Sequence, residues 1–152
     1  LSKDAKWNAH ISDILTSASK AIGIMRKLKY TIGRKALNQM YISYVRPILE
    51  YSSIVWDGCS LQLVDTIEQM QLEAARIVTC ITRSASHVNL YKECCWEPLN
   101  NRRERQKLCF MYKVDNQNVP EYILDLFPPT VQERTNYEPR NRNDITYPYC
   151  RT

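Results

Sequence analysis

Apolar residues return at alternating four- and three-residue steps along several stretches of this chain, the spacing that puts side chains on one face of a helix. From residue 7 to residue 30 the series is Trp7, Ile11, Ile14, Ala18, Ala21, Met25 and Leu28, which predicts a long amphipathic helix. From residue 35 to residue 56 it is Leu37, Tyr41, Tyr44, Ile48, Tyr51 and Val55, which predicts a second helix, buried and central, with its tyrosine row in the core. Pro47 falls inside that helix. It has no N–H to give the carbonyl of Ser43, and its ring crowds that carbonyl, so a kink costing about 3 kcal/mol is expected there. Gly33 is placed to close the first helix with a left-handed turn, giving a helical hairpin.

Beyond the hairpin, Ile67, Met70, Ala74, Ile77 and Ile81 mark a third helix to about Thr79, with Ser60 as N-cap and Asp65 early enough to favour the positive helix end. Ser86 is placed to cap a short fourth helix through Cys95, which Pro98 stops. Asn101 and Glu104 read as a cap pair opening a fifth helix, along which Leu108, Met111 and Tyr112 face inward. Pro120 suits the first position of a sixth, and Pro128 with Pro129 ends it. The expected fold is therefore all-α: an antiparallel helical hairpin with a Pro-kinked central helix over residues 1–58, further short helices packed on it over 59–129, and an extended, truncated C-terminal tail over 130–152. The absence of a starting methionine suggests that the chain begins in mid-protein.

Composition agrees with one helical domain. The 152 residues are 44% hydrophobic and include only three glycines, which disfavours a sandwich or barrel. No apolar run is long enough for a membrane span and the N-terminus has no signal core, so an intracellular chain, nuclear or cytoplasmic, with no membrane partner is expected. The six cysteines then read as reduced thiols. Cys80, His87, Cys94 and Cys95 are the conceivable metal ligands, but no C-x-x-C pair occurs and adjacent cysteines diverge, so no metal site is expected. His10 has no nucleophile paired with it by any recognisable motif and reads as a packing or capping residue. Trp7, Trp56 and Trp96, at helical junctions, read as core rather than as base-stacking groups.

The net charge of +5 is unevenly spread: residues 1–46 hold nine Lys/Arg against two Asp, whereas residues 47–76 hold one Arg against five acids. Lys20, Arg26, Lys27 and Lys29 crowd the end of the first helix, and Arg34 and Lys35 follow at once. Cations complement a helix C-terminus, so a solvated face is the plain reading of them; a surface that tracks phosphates is the sharper one, and the extension of the patch by Arg34 and Lys35 adds weight to it. Arg102, Arg103 and Arg105 occupy the first turn of the predicted fifth helix, where cations oppose the dipole. Free backbone N–H groups and three guanidiniums there would make a phosphate seat. The plainer alternative is a solvated run partly paired with Glu97 and Glu104.

Five motifs in order, W-N-A-H-I at 7–11, Y-V-R-P-I-L-E-Y-S-S-I-V-W at 44–56, I-E-Q-M-Q-L-E-A-A-R-I-V-T at 67–79, W-E-P-L with R-R at 96–103, and P-E-Y-I-L-D-L-F-P-P at 120–129, resemble the region behind the polymerase palm in reverse transcriptases of jockey-type non-LTR retrotransposons. The resemblance covers nearly the whole chain. It implies that Leu1 follows the last palm strand and that the first two helices are thumb-like. It further implies a parent RNA-directed DNA polymerase whose palm aspartates hold two Mg²⁺ ions, and an apolar face on which that missing palm packs. This chain has no adjacent Asp pair, so no catalytic residue is assigned and the fragment is expected to be inactive alone. Its expected job is to grip an RNA–DNA hybrid or primer–template duplex by the phosphate backbone. A helical protein–protein interaction module, or an inert relic of such an element, is the alternative. Where the family usually has glycine, after the third helix and before the tryptophan of W-E-P-L, this chain has Cys80 and Cys95. A C-cap with positive φ would strain a residue that carries a Cβ.

Overall fold

A computed structural model describes residues 7–81 and 85–128 together with residues 140 and 144; the expected tail lies almost entirely outside the described residues. Every regular element among them is helical. In chain order these are α1 (Asn8–Leu28), α2 (Arg34–Met40), a π-helical turn (Tyr41–Val45), α3 (Arg46–Glu50), α4 (Ser53–Trp56), α5 (Leu61–Thr79), α6 (His87–Cys94), α7 (Leu99–Asp115) and α8 (Glu121–Leu124). Two compact units divide at Lys107 and Leu108, within α7.

The first unit is built on the predicted stripe of α1, of which Ile11, Ile14, Ala18, Ala21 and Met25 are all buried. α5 supplies Ile67, Ala74 and Ile77 as expected, and also Leu72, Ala75 and Val78. Leu90 of α6 and Leu99 of α7 join the same core.

The second predicted helix departs from expectation in an informative way. Leu37 and Tyr41 are buried, but the next buried residues are Val45 and Leu49, while Tyr44, Tyr51 and Val55 are 66%, 71% and 60% exposed. The cause is the π turn, where the Arg46 N–H donates to the Tyr41 carbonyl, five residues back. A π turn is wider than an α turn, so four-residue steps stay on one face across it, and the alternating four-three stripe rotates out to solvent. The widened turn comes immediately before Pro47, which could not have served Ser43 in an α ladder. The expected strain is thus absorbed as an inserted residue rather than as a simple kink. Ser52, at φ 51°, then ends the segment and α4 buries Trp56.

Local caps also differ. Gly33 has φ −70° and ψ 159° and opens α2; it is not a left-handed closure of α1. Ser60 precedes α5 without a side-chain cap bond, whereas Ser86 accepts from the Asn89 N–H at 3.3 Å. α7 begins at Leu99, two residues before the expected cap, because Glu68 on α5 accepts from the Leu99 N–H at 3.1 Å. Cys80 and Cys95 do end α5 and α6 in the left-handed region, at φ 57° and 54°.

A buried polar set ties these helices together. The Tyr41 hydroxyl donates to Gln71, whose Nε2 donates to the Glu97 carbonyl at 2.9 Å. The Trp96 ring lies on that of Tyr41, and its Nε1 donates to Asn38 at 2.7 Å. Burial pushes the Tyr41 phenol well above its usual pKa, and burial with the hydrogen bond to Glu68 does the same for Tyr91.

In the second unit Phe110 and Phe127 stand with ring centroids 6.4 Å apart. Leu108, Met111 and Tyr112, expected to face inward, are 71%, 38% and 68% exposed. Pro120 takes the position just before α8 rather than its first residue.

Candidate nucleic-acid interface

The predicted basic residues separate into two environments. Lys20, Arg26 and Lys27 stand exposed on α1, Lys29 is half-buried just beyond it, and Arg34 and Lys35 are exposed in the first turn of α2. Arg26, Lys27, Lys29, Arg34 and Lys35 lie where α1 hands over to α2, and Lys20 lies eight residues before the end of α1. Arg26 is paired with Glu73 of α5 at 2.5 Å, and Arg34 with Glu93 of α6 at 2.6 Å. The hydrogen bond to Glu93 raises the pKa of Arg34 further. Lys29 lies 5.5 Å from the centre of the Tyr30 ring, a cation–π contact with a residue that is itself 89% exposed. Among the described residues Lys20, Lys27, Lys29 and Lys35 have no carboxylate within ion-pair reach.

The three arginines of α7 do not form the expected phosphate seat. The N-terminus of α7 is taken by the Glu68 carboxylate, and each guanidinium goes a different way. Arg102 is bound by Glu50, whose hydrogen bond raises the arginine's pKa. Arg105 is bound by Glu97, the pairing the charge run allowed for. Arg103 is only 1% exposed, with its Nε 3.4 Å from Asp57 and its guanidinium carbon 5.7 Å from the centre of the Trp56 ring. None of its three nitrogens has a hydrogen-bond partner among the described residues, so Asp57 attracts it by charge without a directed bond. Lys107 holds the other Asp57 oxygen at 2.5 Å. Arg103 is therefore a core residue.

Cys94 is buried, and burial pushes its thiol up to about 11. Cys80 and Cys95 are exposed, and no group of three or more His, Cys, Asp or Glu stands together for a metal ion among the described residues. His10 stands edge-on to Trp7, ring centroids 6.3 Å apart. No described helix is long and apolar enough to cross a membrane.

The periodicity missed the exposed tyrosines, Tyr44 and Tyr51; a proline inside a helical stripe was the available signal. Comparisons of the chain with protein-family models, curated proteins and solved structures find no match.

Proposed function

We propose that this chain is the thumb-like and C-terminal part of a jockey-type reverse transcriptase and that it grips an RNA–DNA hybrid or primer–template duplex through the phosphate backbone. The observation that carries the binding claim is the set of lysines on α1 and at the start of α2, Lys20, Lys27, Lys29 and Lys35, that have no carboxylate partner among the described residues, beside Arg26 and Arg34, which Glu73 and Glu93 hold. Unpaired ammonium groups bring no competing carboxylate to displace and release counterions from the duplex when they bind. Arg26 and Arg34 supplement them by exchanging Glu73 and Glu93 for phosphate, and Arg105 lies apart on Glu97. Contacts of this kind read shape and charge, with little base discrimination. The polymerase chemistry, with its Mg²⁺ ions, belongs in this reading to the palm and not to any residue here. Titrating a labelled blunt RNA–DNA hybrid into wild type and into a Lys27→Glu, Lys29→Glu variant tests it. Tight wild-type binding lost in the variant supports the reading, and equal binding by both removes it.

A protein-interaction module is the second reading, favoured by Leu61 and Val88, which are 81% and 61% exposed. A defined oligomer in sedimentation, with no affinity for the hybrid, would select it.

A further inference from the structure

The stripe that the π turn rotates outward borders a concave surface. Asp13, Ile14 and Ser17 of α1 face Pro47, Ile48 and Tyr51 across an open, largely apolar cavity of about 410 Å³. On α1 the face that carries Asp13 and Ser17 continues at helical spacing through Lys20, Ile24 and Lys27, all exposed. On the opposite side Tyr44 lies one turn before Ile48, and it and Tyr51 are 66% and 71% exposed. Tyr51 thus lines one wall of the groove, with Tyr44 beyond it along the same segment, and lysines without a carboxylate partner among the described residues lead away from the other wall.

We infer that this groove takes single-stranded nucleic acid, bases resting on Tyr44 and Tyr51 and the backbone passing toward Lys20 and Lys27. The inference rests on the reading that the basic face binds nucleic acid, and adds a second ligand class beside the duplex. Charge favours this occupant. From residue 7 to residue 58 there are seven Lys/Arg against three acids, and Lys20 and Lys27 have no carboxylate partner among the described residues. Asp13 is the one acid lining the cavity; it shares that lining with Tyr51 and lies seven residues from Lys20. A duplex hides its base faces in its own stack, so exposed phenol rings gain nothing from it, whereas every unpaired base offers a π-face. Tyr44 and Tyr51 are seven residues apart, roughly 10 Å along a helix, a span that two or three nucleotides cover. Inserted π turns recur at functional sites, and this one is what exposes the two rings.

The test compares the blunt RNA–DNA hybrid with the same hybrid carrying a short oligothymidine overhang, each titrated into the full chain by fluorescence anisotropy. The overhang is expected to tighten wild-type binding about tenfold. Tyr44→Ala with Tyr51→Ala abolishes that gain while leaving blunt-hybrid affinity unchanged, and Tyr44→Phe with Tyr51→Phe keeps it. Equal affinity of wild type for both ligands, a result that needs no variant, overturns the inference and leaves the duplex reading standing. A gain that survives the alanine pair also overturns it. Binding to neither ligand overturns both, and loss of self-association in the alanine pair with no overhang effect assigns the groove to a protein contact.

Discussion

Tyr41 and Trp96 lie stacked with ring centroids 3.8 Å apart and planes 21° from parallel, joining the π turn of the second helical segment to the W-E-P-L stretch before α7. The pair closes the polar set of Asn38, Gln71 and the Glu97 carbonyl, and so positions the helix from which Arg34 and Lys35 project. Trp96→Ala removes the stack and leaves the Asn38 side chain without its indole donor. A loss of about 3–4 kcal/mol is expected, read as a lower midpoint in urea unfolding with an unchanged slope. Tyr41→Phe keeps the stack but orphans the Gln71 oxygen, and costs about 1–3 kcal/mol.

Cys80 and Cys95 are C-cap residues held at positive φ, where a Cβ costs roughly 1 kcal/mol each. Cys80→Gly and Cys95→Gly are each expected to raise stability, with the backbone relief partly offset by the greater freedom of glycine in the unfolded chain. Thermal unfolding of the two singles and the double checks this. A fall in melting temperature for both singles would show that the thiols contribute more than the strain they carry.

Arg103, buried beside Asp57 and Trp56, illustrates the cost of an imperfectly paired internal charge. Arg103→Met is expected to be neutral or stabilising, whereas Asp57→Asn strands the guanidinium and costs about 3 kcal/mol. In an anisotropy assay Arg103→Met leaves affinity for an RNA–DNA hybrid unchanged, because a core side chain makes no phosphate contact.

Alkaline pH acts on the buried thiol. Cys94 ionises at about 11 in the folded chain against an ordinary value of 9.0, so the unfolded state releases its proton first. Its contribution is fully present below pH 9 and is lost as pH rises toward 11; the raised phenols of Tyr41 and Tyr91 extend the loss to still higher pH. Urea unfolding at pH 8 and pH 10.5 is expected to give the lower stability at pH 10.5, with a smaller drop in Cys94→Ala. In the same pH range Cys80 and Cys95 react with iodoacetamide before Cys94.

The helices that could be read from sequence are those whose period is uninterrupted. Along α1 and α5 each apolar step follows from the last, and Ile11 through Met25 and Ile67 through Ile77 face the core as their spacing requires. In the second segment a single inserted residue before Pro47 was enough to reverse the assignment of Tyr44 and Tyr51, since a stripe carries no mark of the turn width that will wind it. The cap of α7 lay out of reach because Glu68, thirty-one residues earlier in sequence than Leu99, supplies it in place of Asn101. Arg103 was misplaced for the same reason: its burial depends on Asp57 and Trp56, which its own neighbours do not announce. The lysines were found by composition alone, but which arginines Glu73 and Glu93 would hold was a tertiary fact.

The most direct test of the binding account is the salt dependence of hybrid affinity. With about four lysine–phosphate contacts, raising monovalent salt from 50 to 200 mM is expected to weaken wild-type binding roughly hundredfold, and Lys27→Glu with Lys29→Glu to flatten that slope by about half. Binding that does not change with salt, or a slope the charge reversal leaves untouched, would contradict a phosphate grip by these lysines.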